Sequence, residues 1–227
     1  MMVNVKICGI TNLEDAEIAI NFGADALGFN FVPGTPRFLE DQYAKEMIPS
    51  LSYFDEKIGV FADEKLNRVE KLSSELELKT IQFHGNETPQ DCDYFLKKGF
   101  RIIRALRVKD SSTINVVSEY ENCTILLDSF VRGRLGGTGK KFNWSLAKDL
   151  AVRKSIVLSG GLNPSNVQEA LKEVSPFGVD VCSGVEKNNP RKKDPELVKK
   201  FINNAKSELN IGSVSYTHLT LPTNREV

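Results

Sequence analysis

Val3-Asn4-Val5-Lys6-Ile7-Cys8, followed by Gly9-Ile10-Thr11, reads as a strand leading into a helix, and its alternation governs the reading of the rest of the chain. Val3, Val5 and Ile7 share one face, while Asn4, Lys6 and Cys8 share the other, because side chains alternate along a strand. The apolar face needs a cover, and the next residues supply one. Thr11 with Glu14 three residues on reads as a capping box, and Gly23 as the end of the helix it opens. A second apolar run, Asp25–Phe31, then follows.

The same unit recurs. Strand candidates lie at Val3–Cys8, Asp25–Phe31, Lys57–Phe61, Thr80–His84, Arg101–Arg107, Thr124–Asp128, Ser155–Ser159 and Gly178–Cys182. Thr88-Pro89 starts one intervening helix and Gly99 follows its end; Asn163-Pro164 and Asp194-Pro195 repeat the polar cap followed by proline. Eight strand-plus-helix units at spacings of roughly 20 to 30 residues predict an α/β fold, a single (β/α)8 TIM barrel. An open doubly wound sheet also alternates strands and helices. Eight units with none left over favour closure. The barrel is expected over residues 1–210 as one catalytic domain, and Ser213–Val227, which has no helical pattern, as a non-native or disordered tail.

Composition excludes several classes. Of 227 residues 41% are hydrophobic and 26% charged, an ordinary globular balance. Thirty basic residues offset thirty acidic ones, so no net field draws nucleic acid or an anionic membrane. No apolar run approaches the length of a membrane span, and the N-terminus does not read as a secretory leader. The four cysteines, Cys8, Cys92, Cys123 and Cys182, form no C-x-x-C pair and have only His84 and His218 to join them, so neither a disulfide framework nor a zinc site is expected. A cytoplasmic location follows as the expectation.

In a barrel the apolar strand face meets the helices, which turns Lys6 and Cys8 inward, and Asp180 of Gly178-Val179-Asp180-Val181-Cys182 with them. The first and eighth strands adjoin, so Lys6 and Asp180 are placed to pair, an unpaired buried charge being costly. That pair serves either the site or the barrel floor alone. Cys8 ends its strand beside a helix N-terminus that favours thiolate, although many cysteines are simply small buried hydrophobes. Asp128 closes Ile125-Leu126-Leu127-Asp128; a carboxyl desolvated at such a strand end suits a general acid, with a loop cap as the other reading. Cys8 and Asp128 together offer a base and an acid for proton transfer that needs neither metal nor cofactor.

Three small-residue turns, Gly136-Gly137-Thr138-Gly139-Lys140, Ser159-Gly160-Gly161 and Cys182-Ser183-Gly184, follow the last three strands, where barrels frequently bind phosphate. The first belongs to the longest expected loop, Ser129 to Phe142, and lacks Walker spacing, so nucleotide hydrolysis is not supported. Arg37, behind Pro33 and Pro36 in the second loop, suits a planar carboxylate or is a solvated charge. Gln82 and His84 alternate inward on the fourth strand, and His84 either lines the pocket or is a structural histidine. Arg191-Lys192-Lys193 reads as a solvated loop.

At these residues the sequence resembles the phosphoribosylanthranilate isomerase family of tryptophan biosynthesis. The stretches that carry the resemblance include Lys6-Ile7-Cys8-Gly9-Ile10-Thr11, Pro36-Arg37-Phe38, Gln82-Phe83-His84-Gly85, Leu126-Leu127-Asp128, Leu158-Ser159-Gly160-Gly161-Leu162-Asn163-Pro164 and Val179-Asp180-Val181-Cys182-Ser183-Gly184-Val185-Glu186. The resemblance implies a cofactor-independent Amadori rearrangement of a small-molecule phosphosugar. It implies Asp128 as general acid, Cys8 as general base, Arg37 on the anthranilate carboxylate, amides around Gly161, Ser183 and Gly184 on the phosphate, and Asp180 and His84 lining the pocket. A monomer or homodimer, with no nucleic-acid or membrane partner, is expected. Phe38 stands where the family often has Tyr, and Cys182 where it often has Ser. Two rivals are a barrel isomerase of the aminoimidazole ribotide type and a phosphosugar-binding barrel without catalysis. The first would show paired aspartates and two similar halves, and Cys8 stands where its first aspartate would be.

Overall fold

The computed structural model describes residues 3–108, 116–129, 145–152 and 154–207. Eight parallel strands close into a barrel in sequence order. They are β1 (Asn4–Cys8), β2 (Ala26–Asn30), β3 (Lys57–Phe61), β4 (Thr80–Phe83), β5 (Arg101–Val108), β6 (Thr124–Ser129), β7 (Ile156–Leu158) and β8 (Gly178–Val181). The described α-helices are α1 (Leu13–Asn21), α2 (Asp41–Met47), α3 (Leu66–Glu75), α4 (Pro89–Lys97), α5 (Ser145–Ala151), α6 (Val167–Val174) and α7 (Pro195–Lys206). The expected strands are all present, with no end moved by more than one residue.

Two apolar groupings correspond to the two faces of the strands. Val5, Ile7, Leu27, Phe29, Ile81 and Val179 join the helices in the larger core, whereas Ala26, Ile58, Ile103, Ala105, Leu126 and Val157 form a separate cluster that fills the barrel. The helices meet the sheet through stripes at i, i+3, i+4 and i+7: Val167, Ala170, Leu171 and Val174 on α6, and Val198, Phe201, Ile202 and Ala205 on α7, are all buried.

Helix starts repeat the sequence signals with two corrections. Thr88 and Asp91 form a reciprocal capping box with Pro89 in the first turn of α4, and Asp194 Oδ1 accepts from the Leu197 amide at 2.9 Å with Pro195 in the first turn of α7. Asn12, not Thr11, caps α1: its Oδ1 accepts from the Asp15 amide at 2.9 Å, while the Thr11 hydroxyl donates to the Arg191 carbonyl at 2.6 Å. Asn163 and Pro164 belong to a turn ahead of α6, which starts at Val167; Asn163 Oδ1 accepts from the Ser165 amide at 2.8 Å. A long-range bond in one place and a local turn in the other took the side chains that would otherwise have capped. The Gly136–Lys140 turn and Ser213–Val227 lie outside the described residues.

Candidate active site

The site grows from the register of the first and last strands. Lys6 lies opposite Asp180 and Ile7 opposite Val181, so closure of the barrel brings the inward residues of β1 and β8 together. Lys6 Nζ donates to Asp180 Oδ1 at 2.7 Å, with both side chains almost fully buried, and the Ser159 hydroxyl donates to Asp180 Oδ2 at 3.0 Å. Burial is the largest influence on Lys6 and lowers it, but the Asp180 carboxylate and Cys8 together outweigh burial and raise the ammonium above its ordinary value.

Cys8 sits two residues beyond Lys6 on the same face. A hydrogen bond from the Cys182 thiol, aided by the Lys6 ammonium, overcomes burial and lowers the Cys8 thiol to about 6. The same bond, with burial, pushes the Cys182 thiol well above its usual value. The helix terminus expected to favour the thiolate begins only at Leu13 with Asn12 as its cap, so the neighbouring ammonium and thiol do that work instead.

Asp128, on the inward face of β6, is 3% exposed despite lining the mouth. His84 follows the end of β4 and brings Nε2 to 3.4 Å from Asp128 Oδ2. Gln82 Nε2 lies 3.2 Å from His84 Nδ1.

Arg37, in the loop after β2, donates from Nε to Glu186 Oε1 at 2.8 Å and from Nη2 to Glu186 Oε2 at 2.5 Å. Glu186 Oε1 also accepts from Lys193 Nζ at 2.6 Å, and the Lys193 side chain is fully buried. Of the basic run, Arg191 and Lys192 are exposed as expected, but Lys193 points into the protein, and the Arg191 carbonyl ties the loop to Thr11.

Gly160 and Gly161 turn the chain after β7 with φ of +81° and +73°, values that favour glycine. A short 3-10 turn, Ser183–Val185, follows β8. A Cβ on Gly184 would lie 1.9 Å from the Leu162 carbonyl oxygen, so glycine allows the two turns to lie back to back. Cys8, Arg37, His84, Asp128, Gly161, Asp180 and Ser183 line one cavity of about 120 Å³ at the C-terminal ends of the strands. Gly184 is not part of its wall and instead supports the turn behind it.

Sequence reasoning passed over Glu186 and Lys193, and gave Cys182 no role. Their partners lie far away in sequence, and only a buried charge requirement could have flagged them. Among the described residues no group of three His, Cys, Asp or Glu could hold a metal ion, and no helix is long and apolar enough to cross a membrane.

Residues 5–204 match the family model for N-(5′-phosphoribosyl)anthranilate (PRA) isomerase. The chain is 43% identical over 205 residues to N-(5′-phosphoribosyl)anthranilate isomerase of Pelobacter propionicus, covering 90% of this chain and 96% of that one. It is similar to the crystal structure of the Thermotoga maritima isomerase, with a TM-score of 0.85 and 41% identity over 90% of this chain and 99% of that one. A further phosphoribosyl anthranilate isomerase structure, in complex with reduced 1-(o-carboxyphenylamino)-1-deoxyribulose 5-phosphate, has a TM-score of 0.81 and 39% identity over 90% and 99%. The matched segment contains every strand of the barrel apart from the first residue of β1, and every residue placed around the cavity, and on that ground the chain belongs to the N-(5′-phosphoribosyl)anthranilate isomerase family.

Proposed function

We propose that Cys8 and Asp128 are the base and acid with which this family member works; the supporting observation is that both line one cavity, from β1 and β6. The reaction converts N-(5′-phosphoribosyl)anthranilate to 1-(2-carboxyphenylamino)-1-deoxyribulose 5-phosphate in tryptophan biosynthesis. Asp128 gives a proton to the furanose ring oxygen, the C1′–O bond breaks, and a Schiff base forms. The Cys8 thiolate takes the proton from C2′, and the resulting enolamine tautomerises to the ketone. C1′ is reduced as C2′ is oxidised, so no external redox partner is required. Arg37 holds the anthranilate carboxylate with the donors that Glu186 leaves over. Main-chain amides around Gly161, Ser183 and Gly184 take the phosphate, and Asp180 and His84 complete the wall. The enzyme acts in the cytoplasm as a monomer or homodimer.

The test follows anthranilate-type fluorescence after adding the protein to freshly made phosphoribosylanthranilate, with Cys8→Ala and Asp128→Asn alongside. Groups in these roles contribute about 10²–10⁴-fold, so either change should cut conversion at least a hundredfold. Conversion undisturbed by either change would sink the assignment of acid and base.

A further inference from the structure

Arg191 is exposed, yet its guanidinium is spent on the protein rather than on water. Nη1, which carries two hydrogens, donates to two main-chain carbonyls of the loop after β2: Pro36 O at 3.3 Å and Phe38 O at 2.8 Å. Those two residues stand on either side of Arg37. The donor itself comes from a fixed main chain. The Arg191 carbonyl accepts from the Thr11 hydroxyl at 2.6 Å and from Asn12 Nδ2 at 3.3 Å, and its amide donates to Asn189 Oδ1 at 2.9 Å. An antiparallel bridge between Glu186 and Lys193 closes the base of the segment that carries it.

The loop that Arg191 holds leaves β2 at Asn30 and comes back at Phe38, which bridges to Asn30, while the Leu39 amide donates to the Asn30 carbonyl at 2.8 Å. Asn30, Val32 and Thr35 bond to one another within it, which shapes the loop without tying it to the far side of the barrel mouth. Arg191 makes that tie. The Arg37 side chain also runs close over the residue after Cys8, since a Cβ on Gly9 would fall 2.5 Å from Arg37 Cδ. One segment after β8 thus takes Arg37 by two handles. Glu186 sets where the guanidinium points, and Arg191 sets where its main chain stands.

We propose that Arg191 is a positioning residue for substrate binding: by tying the main chain on both sides of Arg37 to the entrance of α1, it orders the β2 loop before the substrate carboxylate arrives. The proposal rests on the reading of Arg37 as the carboxylate site. A loop ordered beforehand spares the ligand that entropy cost, so the effect falls on KM and leaves kcat nearly unchanged.

Because Arg191 is exposed, its replacement should leave the barrel folded. The test combines steady-state kinetics with amide hydrogen exchange of peptides covering residues 31–39. It compares the parent, Arg191→Ala and Arg191→Lys, with Arg37→Ala and the double variant completing a cycle. A hydrogen bond from a charged donor is worth roughly tenfold in an equilibrium constant, and less at a surface. Arg191→Ala should therefore raise KM about three- to tenfold with kcat within about twofold, and speed exchange across 31–39 by a similar factor. Lysine keeps a charged donor and should restore most of both. In the Arg37→Ala background, losing Arg191 should change KM by less than about twofold, since its effect passes through Arg37. With KM raised by Arg37→Ala, an Arg191→Ala variant of parental KM or parental exchange would overturn the proposal. So would a KM rise as large without Arg37 as with it, the signature of a distant charge attracting an anion. If Arg37→Ala keeps the parental KM while Arg191→Ala still speeds exchange, the tie stands and the carboxylate assignment fails.

Discussion

Glu186 grips the Arg37 guanidinium through two parallel hydrogen bonds, at 2.8 and 2.5 Å, across 149 residues of sequence. The carboxylate also neutralises Lys193, so one buried anion carries two cations. Two consequences follow, one for binding and one for stability.

Glu186→Gln leaves both cations undercompensated. Breaking a buried ion pair by removing one partner costs about 3–5 kcal/mol, and the urea midpoint should fall accordingly. Since Arg37 loses the anchor that orients it, KM should rise about tenfold or more with a smaller change in kcat. An unaltered urea midpoint would show that Arg37 and Lys193 find other partners.

The proposal that Cys8 is the base carries a pH dependence. A base must be deprotonated to act, so kcat/KM should fall about tenfold per pH unit below about 6 and level off above it. Between about pH 6 and the ordinary thiol value of about 8.5, the folded chain holds a thiolate where the unfolded chain holds a thiol. The unfolded state binds the extra proton there, so this group's contribution to stability rises with pH across that window and is lost as pH falls through about 6. Replacing Cys8 with Ser should flatten that rise in denaturant titrations at several pH values.

Gly28 on β2 tests the geometry of the same corner. A Cβ there would lie 2.8 Å from Cys8 Sγ and 2.9 Å from Lys6 Nζ. Gly28→Ala must push both aside, and a displacement of about 1 Å can cost 10²-fold in rate. The expected result is a large fall in kcat at nearly unchanged KM; wild-type kcat would mean the corner yields freely.

The inward placement of Lys6, Cys8 and Asp180 was legible because strand alternation is strictly local and the closed order makes β1 and β8 neighbours. The eight strands were legible for the same reason, as apolar runs set between capped helices. What escaped was whatever depends on a distant partner. Thr11 looks like a cap until the Arg191 carbonyl takes its hydroxyl, and Lys193 looks solvated until Glu186 is seen beneath it. Asn163-Pro164 misled differently, since a polar residue before proline starts a turn as readily as a helix.

Gly184 supports the phosphate-binding reading from behind. Its missing side chain lets the β8 turn rest on the Leu162 carbonyl, and Gly184→Ala would force the two turns apart. Overpacking of this kind costs about 1–3 kcal/mol. Inorganic phosphate should inhibit the variant at least tenfold more weakly than the parent, measured by competition with substrate. Equal inhibition would remove these turns from the phosphate site.

Lys6 and Asp180 are 174 residues apart, and Cys182 lies two residues beyond Asp180. While the chain is being made, Cys8 precedes Asp180 and Cys182 by most of the barrel. Until β8 docks against β1, that sulfur is an ordinary thiol, mostly protonated at neutral pH and slow toward oxidants and electrophiles. Ring closure thus sets the moment at which the Cys8 thiol meets the groups that lower it.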